Sequence, residues 1–404
     1  MMRKDAALAG ASPHAQAAAQ SSPIISALQM RHSILPPNGN FAQVTEAIIN
    51  ANSGAAAAEL RVAQLRAEAK SKNWLPQLGP SVSLSSLSGL VASLTLSQPI
   101  FDHGRRKAER DFAAADVEVA AVSLSASMNQ RAYEGLQYYI LAERARAQAA
   151  VSERAAQKLA GFEKSMQTRV DGGLSDMSQQ QVISQRYAEM QATVAADMDA
   201  AQNALGQLAA MTGQLQLPLM GMDKMVVTPS AALPLSVLRK NAEGKRMLAQ
   251  AMLSRADMLP GITASAEAND MGVNPGLRLT GLGMVNPGAS ATMQALAETT
   301  NVVDAQNADA ADVANRRLVA LNGDITTLQN RQMQGAKLLA RTESNLELFD
   351  EQYKVGRSTL LELVGQYDAY ARLKRDQEAI RFEIALKQLE IARDLGLLVD
   401  GARL

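Results

Sequence analysis

Residues that could do chemistry are few in this chain, and they form no recognisable catalytic or metal-binding group. The chain has no cysteine, so it lacks a thiolate nucleophile, a disulfide and a lipidated N-terminal cysteine. Its three histidines, His14, His32 and His103, lie far apart and have no carboxylates at metal-site spacing. The nineteen methionines are typical core filler rather than a set of metal ligands. We therefore expect neither an enzyme nor a bound cofactor.

Two short stretches could contact phosphate, but each has a simpler interpretation. Gly281, Gly283 and Gly288 are spaced loosely like a phosphate loop, yet the lysine of such a loop is missing, and strand packing is the alternative. The cations at 105–107 could face lipid headgroups. A solvated helix face is the stronger interpretation, because the corresponding stretch later in the chain, 289–291, reads Ala-Ser-Ala.

Composition favours long packed helices over a compact globular core. The 404 residues are only 3% aromatic, and alanine is abundant, which permits close helix approach in an extended coiled coil. Forty acidic and forty basic residues balance, so nucleic acid is not indicated as a partner. No apolar run is long enough for a transmembrane helix, so strands would have to cross any membrane. Residues 1–20 lack the apolar stretch of a signal peptide, which counts against export unless the true leader is missing.

The period of the sequence changes within residues 95–107, T-L-S-Q-P-I-F-D-H-G-R-R-K. Before Pro99, Leu94 and Leu96 belong to an alternating apolar and small-polar pattern that predicts a strand. After Asp102, whose carboxylate could cap a helix, an alanine-rich charged run without proline extends to about residue 170. This run predicts a helix on the order of 100 Å long that follows the strand directly.

The same junction recurs about 184 residues later, which indicates a tandem duplication. Asp102 corresponds to Asn286 and Gly104 to Gly288, while Pro287 would occupy the first helical position, where proline is tolerated. Further pairs at nearly the same offset are Leu75-Pro76 with Leu259-Pro260, Gly173 with Gly356, and Gly213 with Gly396.

These signals predict a mainly α fold with a small β part, divided into two repeats. A turn is expected near Ser88, a loop through 274–276, a left-handed helix end at Gly173 and a helix cap at Ser175. The predicted segments are a flexible lead-in (1–40), a first repeat (41–213: helix, β-hairpin about 78–98, long helix about 102–170, return helix about 175–211), a linker (214–235), a second repeat (236–397: helix, strands about 261–285, long helix about 287–354, return helix about 358–396) and a tail (398–404).

The strand count has a geometric consequence. Each repeat supplies two strands with the alternation that a membrane barrel requires, so the chain supplies four. Four strands cannot close a barrel, and open edges are not tolerated in lipid. If these strands lie in a membrane, the chain must therefore oligomerise, and three copies would give twelve strands.

With these residues in place, the chain resembles the TolC-like outer membrane efflux protein family, also called outer membrane factors. The resemblance covers residues 41–397 and rests on the order of its motifs, repeated in two halves. The matching stretches are L-S-Q-P-I-F-D-H-G-R-R (96–106), A-L-G-Q-L-A-A-M-T-G (204–213) and Y-K-V-G-R-S-T-L-L-E-L (353–363).

The resemblance implies a homotrimer in the cell outer membrane that extends into the periplasm. Its twelve strands would form one β-barrel, continuous with a periplasmic α-helical barrel that closes at the far tip. There a periplasmic adaptor protein and an inner-membrane transporter would dock. The implied tip turns are Gly172, Gly173 and Gly356, and the implied junctions between barrel and helices are Pro99, Phe101, Asp102, Gly104, Asn286, Pro287 and Gly288.

In family members the tip is held shut by a tyrosine and an arginine on the second turn, which bond a Thr-Asp pair on the first. Tyr353 matches the tyrosine, whereas Ser358 stands where the arginine would be and Arg357 is adjacent. Ser178 and Gln179 replace the Thr-Asp pair. The family's gating bonds therefore do not transfer directly.

Two hypotheses replace the missing gate bonds. Arg357 would pair with Asp176, which lies near the first turn. Of two acidic ring positions in the family, Glu362 keeps one and Gly365 loses the other, so three Glu362 carboxylates would form a ring in the bore. A ring of like charges would favour cations. The alternative for Glu362 is an ordinary solvated helix residue.

Two classes of non-enzymatic function remain. The first is a passive exit duct of a tripartite efflux pump or a type I secretion system, gated at its periplasmic tip. The second is a soluble or periplasmic coiled-coil scaffold or adaptor without a channel. Strand pairs at the same place in both halves favour the duct, because a scaffold has no use for them. The sequence leaves open whether the cargo is a small toxic compound or a secreted polypeptide.

Overall fold

A computed structural model describes residues 22–51, 54–86, 89–213, 220–225, 232–269, 272–280 and 289–404. Each half of the chain contains one or more shorter helices, then two strands, then a pair of long helices. The helices are α1 (Pro23–Gln29), α2 (Asn40–Asn50), α3 (Ala55–Ser71), α4 (Arg105–Asp171), α5 (Met177–Thr212), α6 (Leu235–Asp257), α7 (Ala289–Lys354) and α8 (Leu360–Asp394), and the strands are β1 (Gln77–Ser86), β2 (Gly89–Phe101), β3 (Gly261–Asn269) and β4 (Gly272–Thr280).

The two halves repeat each other closely in their helical hairpins. Helices α4 and α5 have 67 and 36 residues, and α7 and α8 have 66 and 35. Gly173 and Gly356 share a φ of 72° at the hairpin turns, and Gly213 and Gly396 share a φ of 65° where the return helices end. At about 1.5 Å per residue, each long helix spans roughly 100 Å.

One antiparallel sheet joins the strands of both halves in the order β1-β2-β3-β4. The register pairs Leu96 of β2 with Leu78 of β1 and with Ala266 of β3, and Ala266 with Pro275 of β4. Within the part of the chain that the structure describes, the outer edges of β1 and β4 have no partner. The sheet is therefore open on both sides.

The two faces of the sheet differ in polarity. Side chains alternate between faces along a strand, and residues paired in register share a face. One face carries apolar side chains, including Leu78, Leu96, Ile262, Leu277 and Leu279, which are exposed in a single chain. The other face carries mostly small or polar residues. These are Gln77, Gly79, Ser93, Thr95, Ser97, Thr263, Ser265, Glu267, Asn274, Gly276 and Arg278.

The loop predicted through 274–276 is wrong, because these residues lie inside β4. Pro275 is opposite Ala266 within the ladder. Proline is tolerated there since β4 is an edge strand of the sheet within a single chain. The turn predicted near Ser88 lies outside the described residues.

The flexible lead-in predicted for 1–40 does not hold for residues 22–40. Helix α1 packs against α4, and its apolar side chains Ile24, Ile25 and Leu28 are buried. The helix expected over about 41–73, with a weak point at Ser53-Gly54 and a separate short helix as the alternative, forms as two helices, since Gly54 has a left-handed φ of 70° between α2 and α3. Glycine adopts this conformation without steric cost, so the chain can turn there.

The last residues are also packed rather than forming a free tail. Leu398 and Val399 are buried, and a short 3₁₀ helix covers Gly401–Arg403. Asn129 of α4 accepts a hydrogen bond from Leu398 N (2.9 Å), and Gly401 N donates to Arg31 O (2.9 Å). Residues 22–35 and 397–404 thus pack against each other and against α4.

Helix α4 lies at the centre of the molecule and α7 at its edge. Helix α4 packs against α3, α5, α6 and α8 and carries more of the buried alanines than any other element, whereas α7 packs against α6 and α8. Among the residues of α7, only Val303, Ala314 and Leu321 are buried in the described chain. One side of α7 is therefore uncovered. None of the helices in the described residues has the length and apolar character needed to cross a bilayer.

Candidate functional site

The two hairpin turns form one end of the molecule and have the same local geometry. Leu174 N donates to Arg169 O (2.8 Å) after the first helix, and Arg357 N donates to Gln352 O (2.8 Å) after the second. These bonds close each helix over a left-handed glycine, Gly173 or Gly356. The predicted left-handed conformation of Gly173 is therefore confirmed.

The two return helices start differently. The predicted cap at Ser175 is wrong, because Asp176 occupies the N-cap position of α5 and makes no side-chain capping bond. Backbone amides of Gln179 and Gln180 reach its carbonyl oxygen instead, at 3.1 and 3.4 Å. Ser178 lies exposed in the first turn and Gln179 is half-buried. Without a side-chain cap, the first turn of α5 is held by fewer bonds than that of α8.

Glu362 belongs to a capping box at the start of α8. Its Oε2 accepts hydrogen bonds from Thr359 N (2.8 Å) and Ser358 Oγ (3.1 Å), while Thr359 Oγ1 accepts from Glu362 N (3.2 Å). The bonds from Thr359 and Ser358 lower the pKa of Glu362 below its usual value, because they stabilise the carboxylate. A threonine three residues before a glutamate is a sequence signature of this cap.

Tyr353 joins the two tips within one chain. The Arg169 guanidinium, in the last turn of α4, donates to the Tyr353 hydroxyl (3.3 Å) and lies 5.6 Å from the centre of its ring. None of the ion pairs among the described residues joins Arg357 to Asp176, so within a single chain this predicted pair is not formed. Arg169, which the sequence prediction did not include, holds the tyrosine instead.

An apolar cluster supports the tip from behind. Helices α4, α5 and α8 contribute to it, and an edge-to-face contact between Phe162 and Tyr367, with ring centres 5.8 Å apart, extends it. The most deeply buried members are Leu159, Met166, Ile183, Leu360 and Leu363. The hairpin turns are therefore supported by a buried apolar cluster.

Two ion pairs connect α5 to α8 above this cluster. Arg375 forks around the buried Asp197 carboxylate, with distances of 2.5 and 3.1 Å, and Arg186 lies 3.5 Å from Asp368. The Arg375–Asp197 pair is bidentate, and such pairs are stronger and more directional than single contacts. They connect the first-half hairpin to the second-half hairpin at a distance from the turns.

The junction between sheet and helix is shaped by Asp102. Its Oδ1 accepts from Gly104 N (3.0 Å) and its Oδ2 from Arg106 N (3.1 Å), so the carboxylate does bind free amides. The helix nevertheless begins at Arg105, because His103 and Gly104 both have positive φ. Strand β2 is irregular between Pro99 and Phe101, where its register shifts. The equivalent residues Asn286, Pro287 and Gly288 lie outside the described residues.

A cleft lies at this junction on the polar side of the sheet. Ser97 and Thr263 of the polar face line it, together with the start of α4 and the end of α6. Arg105 there is 3.1 Å from Asp257 and 3.6 Å from Glu109. The cation is thus ion-paired beside the polar face, which favours the solvated interpretation of residues 105–107 over a headgroup site.

The described residues contain no group of three or more His, Asp or Glu that could hold a metal ion. The arrangement offers a polar sheet face that meets a charged cleft at the junction with the helices, and a hydrogen-bonded tip at the hairpin turns.

Solved structures of outer membrane proteins share this fold. CusC, whose structures concern transmembrane channel formation, aligns with a TM-score of 0.75 at 14% identity over 91% of this chain and 96% of that chain. The outer membrane protein VceC from Vibrio cholerae gives 0.73 at 16% identity over 89% and 96%. The MtrE outer membrane channel of Neisseria gonorrhoeae, in its open state, gives 0.72 at 14% identity over 90% of both chains. No protein-family model matches the chain, and no curated protein matches it in sequence.

Proposed function

We propose that the chain is one protomer of a trimeric outer-membrane channel of the TolC-like outer membrane factor family. Cargo released by an energised inner-membrane transporter would leave the cell through it, with a periplasmic adaptor joining the two. The protein would contribute containment, gating and docking but no chemistry. The observation that carries the proposal is an open four-stranded sheet, apolar on one face and polar on the other, joined to helices of roughly 100 Å.

Closure of the sheet explains the trimer. The unpaired edges of β1 and β4 would each leave a row of backbone groups without partners in lipid, which costs several kcal/mol per group. Pairing β4 of one protomer with β1 of the next removes both edges. Three protomers of four strands give twelve, which suffices for a closed barrel with its apolar face outward and its polar face lining water.

The competing function is a soluble or periplasmic coiled-coil scaffold, which the helical hairpins alone would satisfy. Detergent-extracted protein reconstituted in a planar lipid bilayer separates the two. A channel gives stepwise conductance from a trimeric species. A monomer that stays in the aqueous phase and gives no conductance would overturn the channel and leave the scaffold.

We further propose that contacts at the tip set how often the channel opens. The Arg169–Tyr353 contact is a hydrogen bond with a cation–π component, worth about 0.5 to 1 kcal/mol at a partly exposed site. Tyr353→Phe removes the hydroxyl and keeps the ring. It should raise the ratio of open to closed time in single-channel records by about twofold, and Arg169→Gln by more. Unchanged ratios in both variants would reject this contact as part of the gate.

The Glu362 ring is the second tip proposal. Three carboxylates at a constriction would favour cations, and Glu362→Gln should reduce the cation preference of the open channel. Thr359→Val is a matched control, because it breaks the capping box but keeps all three charges. If Glu362→Gln leaves the cation preference unchanged, the ring is wrong and Glu362 is only a helix cap.

A further inference from the structure

The four strands carry only two charged residues among their described positions, Glu267 in β3 and Arg278 in β4. Both lie on the polar face. Glu267 is opposite Thr95 on one side and Asn274 on the other, and Arg278 is opposite Thr263. All other polar-face positions of these strands are uncharged, so the charge of this surface is decided by one carboxylate and one guanidinium.

The register places the two charges at different heights. Arg278 is level with Thr263, and Glu267 lies four residues further along β3, which is about 13 Å along the strand. Strand β3 follows α6 after a short connection, so Arg278 lies nearer the helices and Glu267 nearer the far end of the sheet. The charges are thus separated along the axis rather than paired with each other.

Glu267 is held against the sheet. Ser93 Oγ, on the neighbouring strand and the same face, donates to Glu267 Oε1 at 2.6 Å. The hydrogen bond holds the Glu267 carboxylate close to the polar face of the sheet, and the residue stays exposed to solvent. A carboxylate fixed in this way gives a defined charge at a defined height.

We propose that Glu267 and Arg278 form two rings of opposite charge inside the barrel and that these rings determine its ion selectivity. This inference rests on the trimer of the proposed function. The Arg278 ring at the helical end would attract anions, and the Glu267 ring further out would attract cations. Neither ring is part of the tip, so the barrel would carry a selectivity element separate from any at the tip.

The expected radius of a twelve-stranded barrel brings both charges close to the axis of the lumen. Twelve strands about 4.8 Å apart and tilted by roughly 40° give a backbone radius of about 12 Å. A glutamate or arginine side chain reaches several ångströms inward, so its charge lies within about one Debye length, 8 Å at 0.15 M salt, of the axis. The rings therefore act on ions throughout the lumen at low salt and are screened at high salt.

The test is the reversal potential of the trimer in a planar bilayer under a KCl gradient with a mean concentration of about 0.1 M. Glu267→Gln should shift the cation-to-anion permeability ratio toward anions by roughly twofold or more, and Arg278→Gln should shift it toward cations. Both shifts should shrink near 1 M salt. Ser265→Ala, a neutral exchange on the same face, is the matched control and should leave the ratio unchanged.

Equal reversal potentials for wild type, Glu267→Gln and Arg278→Gln in a conducting channel would overturn the rings without touching the proposed function. Failure of the wild type to conduct would overturn the proposed function itself. Because the chain has no native cysteine, Glu267→Cys gives a second measurement on a single folded preparation. A negatively charged thiosulfonate reagent should move its permeability ratio back toward cations, and a positively charged one should move it toward anions. Equal ratios before and after modification would contradict the proposal.

Discussion

Two side chains at the tip stabilise local structure within a single chain. Glu362 accepts from Thr359 and Ser358 at the start of α8, and Tyr353 accepts from Arg169 across the two hairpins. Ser358 donates to the same Glu362 carboxylate and so contributes to the cap.

The cap at Glu362 should make the first turn of α8 sensitive to pH. Because its pKa is lowered in the folded chain, its stabilising contribution is present above the usual glutamate pKa, and it is lost as the pH falls through the lowered value. Hydrogen exchange of the first amides of α8, corrected for the intrinsic rate, should be faster at pH 3 than at pH 6 in the wild type. In Glu362→Gln the two corrected rates should agree. The same acceleration in wild type and variant would contradict the role of the carboxylate.

Helices and turns decide where these side chains meet. Gly356 lies in a left-handed turn with φ 72°, whereas Gly323 lies within α7, where an added Cβ meets no atom within 4 Å. The same substitution should therefore have opposite effects at the two positions. Gly356→Ala should destabilise the tip by about 1 to 2 kcal/mol, and Gly323→Ala should stabilise α7 by up to about 1 kcal/mol.

Hydrogen exchange near each glycine measures both effects as local opening free energies. Protection in the last turn of α7 should fall about tenfold in Gly356→Ala, and protection around residue 323 should rise in Gly323→Ala. Loss of protection in both variants would mean that the left-handed conformation is not what determines the outcome at the turn.

The Asp197–Arg375 pair should be the strongest polar contact between the two hairpins. Asp197 is buried, and removing its charge leaves the Arg375 guanidinium without its partner. Since Arg375 is still 29% exposed, the cost is below that of a fully buried pair, at about 2 kcal/mol. Asp197→Asn should therefore lower exchange protection of α8 amides near Arg375 by roughly thirtyfold.

A matched variant tests whether burial is the cause. Asp312→Asn breaks the Arg316–Asp312 pair, whose side chains are 70% and 64% exposed, and should change protection in α7 by less than about threefold. A similar small effect for Asp197→Asn would show that the buried pair does not hold the hairpins together.

Local sequence patterns predicted the helices and strands well, but they predicted few of the contacts between these elements. The alternation around Leu94 and Leu96 and the duplicated glycines placed the sheet and both hairpin turns, because these depend on residue period and on backbone conformation. The Arg169–Tyr353 and Asp197–Arg375 contacts could not be predicted, since they depend on how neighbouring helices are rotated about their axes. The packed lead-in was missed because α1 is short and acquires its stability from burial against α4.

At the scale of the whole molecule, one chain leaves two kinds of surface uncovered. The apolar face of the sheet exposes Leu277 and Leu279, and the outer side of α7 exposes Val313, Val319 and Leu338. Lipid would cover the first surface and a neighbouring protomer the second in the proposed trimer. Together with the edges of β1 and β4, which are unpaired among the described residues, these are the surfaces that the proposed trimer would cover.

Disulfide cross-linking between β1 and β4 tests the closed twelve-stranded barrel most directly, because the chain has no native cysteine. Gly79→Cys in β1 is combined in turn with cysteine at Asn274, Gly276 or Arg278 in β4, all on the polar face. After oxidation in the membrane, the trimer predicts that at least one combination gives a covalent species of three chains and no larger one on a denaturing gel, with single-cysteine variants remaining monomeric. Monomers in every combination, or a ladder extending beyond three chains, would contradict the closed barrel.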